Sequence, residues 1–324
     1  MATQLPLVSV IIPAYNRSQY LREAIAGAVA QTYRNIEIIV SDDASPDSPE
    51  PLVRSFNDPR IRFRRNVRNL GIGGNVTVAC REAQGKYLAF LNDDDVWHPD
   101  FLEKLVPPLE ANPDLVIAFS DHYLMDADGA IDFAATEQNT RRYKRDRLRE
   151  GVYKPFIRMA LLDLTVPAAM ATVYRRDAIE WDVPPQASYN YDFYFMYLAC
   201  RDGRGAYYCP ERLTRYRSHG SSATAAVGMH LAGYFVHWYE RFLQDERLRP
   251  FHPLFRKKLA QRNQTWGYAL LSEGRLSEAR GRLMAALRGG RLNPGLLTAI
   301  LLSYTSPALV GGALATYRSI RSAL

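Results

Sequence analysis

Three adjacent carboxylates, Asp93, Asp94 and Asp95, close the apolar run in Ala89-Phe-Leu-Asn-Asp-Asp-Asp-Val-Trp-His-Pro99. Like charges set this close repel one another unless a cation is shared among them. Mg²⁺ or Mn²⁺ meets that need, because either ion is held by one or two carboxylates together with the oxygens of a phosphate ligand. The triplet therefore predicts a divalent metal bound together with a nucleotide diphosphate. The plainer alternative is a solvated acidic turn that caps a helix starting at Pro99.

Elements that could present such a triplet are legible on either side of it. Val8-Ser-Val-Ile-Ile12 is a β-branched run stopped by Pro13, and Leu21, Ile25 and Val29 follow in helical spacing. The pattern then repeats. Ile36–Val40 reads as a buried strand ending in the turn-forming Ser41-Asp-Asp-Ala-Ser-Pro-Asp47, with further strands expected at Ile61–Phe63 and Tyr87–Leu91 and a helix at Gly74–Ala83. Strands alternating with helices predict a mostly parallel sheet covered on both faces. Ligands of such sheets sit beyond the carboxyl ends of the strands, which directs the loops Pro13–Arg17, Asp42–Asp47 and Asn92–Asp95 to one cleft. Beyond residue 150 a strand is expected around Ala169–Tyr174, a helix around Asp192–Cys200 and a strand at Ala206–Cys209. From about residue 226 the reading is helical, over Met229–Leu243, Leu254–Ser272 and Leu276–Leu287, so the expected domains are 1–225 and 226–324.

In order and spacing, four segments resemble the family 2 glycosyltransferases of the GT-A fold, over roughly residues 7–222. Val8–Asn16 resembles that family's opening strand and nucleotide loop, which brings in Pro13, Ala14 and Tyr15. Val40–Asp47 is similar to its second acidic loop, in which Asp43 would face the base. Asn69-Leu-Gly71 with Asn75, then Ala83–Tyr87, resembles the approach to the metal motif. At the metal itself the family usually has Asp, any residue, then Asp, so in this chain the first position is an amide, Asn92. The resemblance gives Asp94 the principal metal-ligand role, leaves Asn92 to hydrogen-bond ribose and lets Asp93 serve as the second acid. Pro210–His219 resembles the segment that closes the site, with Arg217 and His219 approaching the diphosphate. Arg17 and Arg68 carry a weaker expectation of meeting phosphate. The implied fold is α/β, GT-A (Rossmann-like, mostly parallel sheet flanked by helices), with a C-terminal helical region.

Glycosyl transfer from a nucleotide sugar needs a stabilised diphosphate and an activated acceptor hydroxyl, the first from metal and cations and the second from a carboxylate acting as general base. Asp192, in Tyr189-Asn-Tyr-Asp-Phe-Tyr194, is the only acid between Asp182 and Asp202 and is the candidate base. Flanking Tyr191, Phe193 and Tyr194 are expected to build an acceptor wall. Its plainer role is an acid favoured by the dipole at a helix start. Strict register with the family places Asn190 at the base position instead, and an amide cannot accept the proton. The expected activity is metal-dependent transfer, with Mn²⁺ or Mg²⁺, from a UDP- or dTDP-sugar to a saccharide or lipid-linked acceptor. Inversion is the usual outcome in the family, and the expected setting is bacterial-type surface polysaccharide synthesis. The rival is a non-catalytic, sugar-nucleotide- or carbohydrate-binding subunit of a membrane assembly.

The 47% hydrophobic and 23% charged content excludes collagen, coiled coil and wholly disordered chains. The net charge of +7 is uneven: residues 251–324 hold 11 basic side chains against only Glu273 and Glu278. Those basic residues sit among Leu and Ala rather than stacking aromatics, which argues against nucleic acid and for an anionic membrane surface. Residues 295–317 are uncharged but broken by Pro307 and Gly311-Gly312, so two short interfacial helices are expected, with Arg288, Arg291, Arg318 and Arg321 toward headgroups. A buried helical hairpin is the alternative. Tyr268–Arg280 is similar to one tetratricopeptide-type unit, a helix, a Gly turn and a helix. Cys80, Cys200 and Cys209 are an odd number suited to reduced, buried thiols, and the N-terminus lacks a basic region before its apolar run. The expected location is cytoplasmic, peripheral at the inner face of the cell membrane. A dinucleotide oxidoreductase is the weakest of these readings, because Ile72-Gly-Gly74 lies well past the first strand and lacks the Gly-rich fingerprint.

Overall fold

The computed structural model describes residues 5–167, 169–220 and 231–305. The chain divides into two compact units, Met1–His219 and Gly220–Leu324. In the first, the β-branched runs become strands buried on both faces, and the amphipathic segments between them become the covering helices. The order is β1 (Val8–Ala14), α1 (Ser18–Val29), β2 (Ile36–Asp42), α2 (Glu50–Arg54), β3 (Ile61–Arg65), α3 (Gly71–Glu82), β4 (Tyr87–Phe90), β5 (Val96–Trp97) and α4 (Phe101–Ala111). It continues through β6 (Leu115–Met125), α5 (Phe133–Arg142), β7 (Gly151–Tyr153), β8 (Thr172–Arg175), α6 (Tyr191–Cys200) and β9 (Gly205–Arg217).

These strands form one sheet in the order β3-β2-β1-β4-β8-β6-β9-β5, with β7 also on β9. The pairs β1–β2, β1–β4, β2–β3 and β6–β9 are parallel. Strand β8 runs antiparallel to both of its neighbours, and β5 and β7 run antiparallel to β9. The sheet is therefore mixed, and the parallel expectation holds across residues 8–90.

The core under the parallel half gathers Val8, Val10 and Ile12 of β1, Leu21 and Ile25 of α1, and Phe101, Leu102 and Leu105 of α4. Buried Gln31 locks this layer together, its Nε2 donating to His98 O at 2.8 Å while Leu102 N donates to its Oε1 at 3.0 Å. All three cysteines are buried and none is in a disulfide among the described residues. A polar centre sits farther along β6, where Asp121, 2% exposed, accepts from Arg145 Nε at 2.6 Å and Thr140 Oγ1 at 2.8 Å. Burial alone would raise the Asp121 carboxyl, but Arg145, Thr140 and the neighbouring His122 hold it below its ordinary value.

Two consequences follow for stability. Arg145→Met strands a buried carboxylate and is expected to cost about 3–5 kcal/mol, measured by urea unfolding. Because the folded carboxyl titrates below its unfolded value, the stability it contributes is present above the unfolded value and is lost as pH falls through the folded one.

The second unit contains α7 (Leu231–Phe242), α8 (His252–Ser272), α9 (Leu276–Arg288) and α10 (Pro294–Leu302). Gly274, at φ +75°, makes the turn between α8 and α9 that the Gly in Tyr268–Arg280 predicts. Leu270, Leu271, Ala279, Leu283, Leu296 and Ala299 form a core shared by α8, α9 and α10. Helix α10 falls within the first of the two expected interfacial segments; Pro307, Gly311, Gly312, Arg318 and Arg321 lie outside the described residues. Leu292, Leu297, Leu301 and Tyr304 are exposed, the third of them 70%. Among the described residues no helix is long and apolar enough to cross a membrane.

Candidate active site

The carboxyl ends of β1, β2 and β4 lie side by side because Ile11 pairs with Phe90 and Ala14 with Asp42. The loops that follow are tied to one another through the backbone: Asp43 N donates to Ala14 O at 2.9 Å, and Asn16 N donates to Ser45 Oγ at 2.9 Å. Pro13 and Ala14 are buried in the strand end, whereas the Tyr15 ring is 46% exposed. Tyr15 N donates to Asp93 Oδ2 at 3.2 Å, which joins the first loop to the acidic one.

At the centre a single guanidinium nitrogen, Arg17 Nη1, lies 3.0 Å from Asp93 Oδ1 and 2.9 Å from Asp94 Oδ2. The same Asp94 oxygen is 3.0 Å from His219 Nε2, just past the end of β9. Asp93 and Asp94 are both buried. Desolvation lifts the Asp93 carboxyl to about 7, with Arg17 opposing the shift and Asp94 adding to it.

The third acid departs from the expected metal set. Asp95 is fully buried, and its oxygens are taken by Arg217 N at 2.9 Å and Asn92 Nδ2 at 2.8 Å. Burial, then the charge of Asp94, pushes its carboxyl well above the usual range. It braces the turn instead of opening toward a ligand. Among the described residues no three His, Cys, Asp or Glu side chains converge on one point, so the three-carboxylate cage is not assembled. What remains suits a divalent cation that arrives with its own ligands. One carboxylate oxygen and one imidazole nitrogen meet at Asp94 and His219, a donor pair that favours Mn²⁺ over Mg²⁺ and that diphosphate oxygens would complete.

Arg217 is likewise corrected. Its guanidinium is 1% exposed, donating through Nε to Asp94 O at 2.9 Å, through Nη1 to Ala127 O at 3.0 Å and through Nη2 to Glu23 Oε2 at 2.7 Å. With those donors spent inside the protein, it clamps the acidic turn to α1 and does not reach toward a diphosphate. Tyr20 was missed by sequence reasoning: its ring stacks on Arg217 at 4.7 Å and on His219 at 4.9 Å. No local spacing signals these contacts, since Glu23 and Arg217 stand 194 residues apart.

Other predicted residues divide between ligand-facing and supporting positions. Asp43 is buried, its Oδ1 accepting from Asn66 Nδ2 and Leu70 N, both at 2.8 Å. Asn75 is 2% exposed and spends its amide on Ser41 and Asn66, so it holds β2 to α3 rather than a nucleotide. Asn69 is exposed and turns its Oδ1 to Gly71 N at 2.9 Å. Asn92 bridges inward, donating to Asp95 and accepting from the Tyr191 hydroxyl at 3.4 Å. Arg68 is exposed.

The far wall is the segment leading into α6. Its approach to α3 depends on Gly73, where a Cβ would stand 2.7 Å from Ser188 Cα, and Gly73 N donates to Ser188 Oγ at 3.2 Å. Tyr191 and Phe193 are buried, with Tyr191 packed into a cluster of Phe90, Tyr174, Trp181 and Phe195. They form packing and not the expected acceptor wall; the exposed ring is Tyr189, 55% exposed. Asp192 is half-buried in the first turn of α6, its Oδ1 accepting from Phe193 N at 2.7 Å. Burial pushes its carboxyl up to about 6, against the pull of backbone N–H groups.

Residues 9–180 match Glycosyl transferase family 2. An uncharacterized glycosyltransferase of Haemophilus influenzae is 31% identical over 225 residues, 68% of this chain and 68% of that protein. The Escherichia coli protein named UDP-Glc:alpha-D-GlcNAc-diphosphoundecaprenol beta-1,3-glucosyltransferase WfaP is 33% identical over 120 residues, 37% of this chain and 47% of its own. Among solved structures, S. aureus TarS 1–349 in complex with UDP-GlcNAc superposes with a TM-score of 0.66 at 14% identity, covering 95% of this chain and 91% of that one. The sheet with its strand-end acidic cluster is thus a GT-A fold, and the chain belongs to glycosyl transferase family 2.

Proposed function

We propose that the protein transfers a sugar, with inversion, from a UDP- or dTDP-sugar to a saccharide or lipid-linked acceptor in the synthesis of a bacterial-type surface polysaccharide. The observation that carries this reading is the convergence of Arg17, Asp93, Asp94 and His219 at the strand ends. WfaP, whose name gives a UDP-glucose donor and a diphosphoundecaprenol-linked acceptor, supports the donor and acceptor classes. Asp94 and His219 would hold Mn²⁺ or Mg²⁺, which when bound neutralises charge developing on the departing diphosphate. Arg17 supplies a second positive charge to the same phosphates, and Asp93 keeps that guanidinium in place. Tyr15, Asp43 and Asn69 line the side assigned to the nucleotide, and Asp192 takes the proton of the acceptor hydroxyl. Turnover of UDP-glucose, UDP-GlcNAc or dTDP-glucose with Mn²⁺ and a lipid-linked or saccharide acceptor tests the reading; binding without turnover would make the protein a non-catalytic subunit.

The transfer chemistry belongs to residues 1–225 and membrane attachment to 226–324, at the inner face of the cell membrane. The exposed Leu292, Leu297, Leu301 and Tyr304 offer apolar contact beside a strongly basic sequence. Each Lys or Arg near an anionic surface contributes about 1 kcal/mol. Full-length protein is expected to sediment with phosphatidylglycerol vesicles at low salt, and Leu297→Glu with Leu301→Glu is expected to abolish this. Indifference of the unmodified protein to such vesicles would make the surface a soluble one.

A further inference from the structure

Asn190 is 6% exposed, yet among the described residues neither its Nδ2 nor its Oδ1 has a hydrogen-bond partner. Buried amides are almost always paired, because an unmet donor or acceptor forfeits its hydration without compensation. Asn190 also declines the local partner nearest to hand. It is the N-cap of α6, where an asparagine side chain ordinarily accepts from a backbone N–H of the first turn, but it makes no capping bond. Phe193 N in that turn is taken by Asp192 instead.

The placement of this amide limits what could meet it. On one side Ser188 is fixed to the start of α3 by Gly73 N, and on the other Tyr191 reaches Asn92 at the end of β4. The segment that carries Asn190 is therefore held between the end of β4 and α3, with Asn190 two residues from the carboxylate assigned as base. A group that satisfies both halves of an amide must donate and accept at once. Water and a pyranose hydroxyl do both, whereas a phosphate diester only accepts and an ammonium only donates, so a sugar hydroxyl can take the place that solvent would otherwise hold.

We propose that the Asn190 amide is the receptor for a sugar hydroxyl, of the transferred or of the accepting sugar, rather than a vestigial base position. The proposal rests on the nucleotide-sugar reading above. It implies a trade: a polar amide kept in the interior for substrate, where an apolar side chain would pack at lower cost.

The test uses the full-length protein with Mn²⁺ and the variant Asn190→Leu, which keeps the shape of the side chain and removes both polar atoms. Thermal unfolding without ligand is expected to shift upward by about 2–4 °C. In the donor arm, calorimetry compares UDP-glucose, UDP-GlcNAc and dTDP-glucose with UDP and dTDP. In the acceptor arm, saturation-transfer NMR reads the methyl α-glycoside of GlcNAc in the presence of UDP. Loss of about tenfold in affinity for the sugar-bearing ligand in the donor arm assigns Asn190 to the transferred sugar, and the same loss in the acceptor arm assigns it to the accepting one. A lowered melting temperature, or unchanged affinity in both arms, overturns the proposal. If the leucine variant fails to fold, Asn190→Ala replaces it and is read on the two affinity arms alone, since a truncation cavity lowers stability by itself. An unmodified protein that binds none of these compounds would instead remove the nucleotide-sugar reading itself, and this inference with it.

Discussion

Asp94→Ala is expected to eliminate Mn²⁺-dependent binding of a UDP-sugar and to lower turnover by on the order of a hundredfold or more, the scale on which even supporting residues of metal sites act. The expectation comes from one oxygen. Asp94 Oδ2 is the atom on which Arg17 and His219 both converge, at 2.9 and 3.0 Å, whereas the oxygens of Asp95 are committed to Arg217 N and Asn92. Deleting Asp94 therefore removes the shared anion, while Asp95→Asn is expected to disturb the fold of the turn and spare metal affinity. Calorimetric titration of Mn²⁺ and UDP into both variants separates the two effects. Retained affinity in Asp94→Ala would move the cation to Asp93.

The second large effect is expected at Asp192. Removal of a general base costs roughly 10²- to 10⁴-fold in rate, so Asp192→Asn is expected to lose turnover on that scale with donor affinity unchanged. The pH profile gives an independent check. The base works only when ionised, and burial sets its carboxyl at about 6. Turnover of the unmodified enzyme is therefore expected to climb as pH rises through that value and level off above it. The Asn variant is expected to lack this limb. Wild-type-like turnover in the variant would place the proton acceptor elsewhere.

The first ninety residues were legible because their strands are short apolar runs with abrupt polar ends. Val8–Ile12 and Ile36–Val40 announce themselves, and the loops after them hold the residues that cluster. Strand β6 was not among the expected elements, because Ser120, Asp121 and His122 interrupt its apolar run. They lie in the interior because partners far along the chain, Thr140 and Arg145 among them, satisfy Asp121. The same blindness reversed Arg217. Its charges in sequence suggest a ligand, but Glu23 and the carbonyl oxygens of Asp94 and Ala127 consume its donors. Strand β9 was expected only to Cys209, since Pro210-Glu-Arg looks like a turn; it continues to Arg217 because β6 offers a long parallel edge after a register shift between Ser120 and Asp121. Local spacing reports what a residue type can do, and a distant partner decides whether it is left free to do it.

The pairing of Asp94 with His219 spans 125 residues, and it stands at the end of a strand whose own neighbour, β6, begins about ninety residues earlier. Closing loops of that length costs chain entropy that only an already formed edge can offset. During folding, then, β1, β2 and β4 can assemble with their acids in place while the histidine is still absent, with Arg17 on Asp93 and Asp94 and Arg65 on Asp42. The cluster becomes whole when β9 docks, which ties its assembly to the completion of folding in this unit.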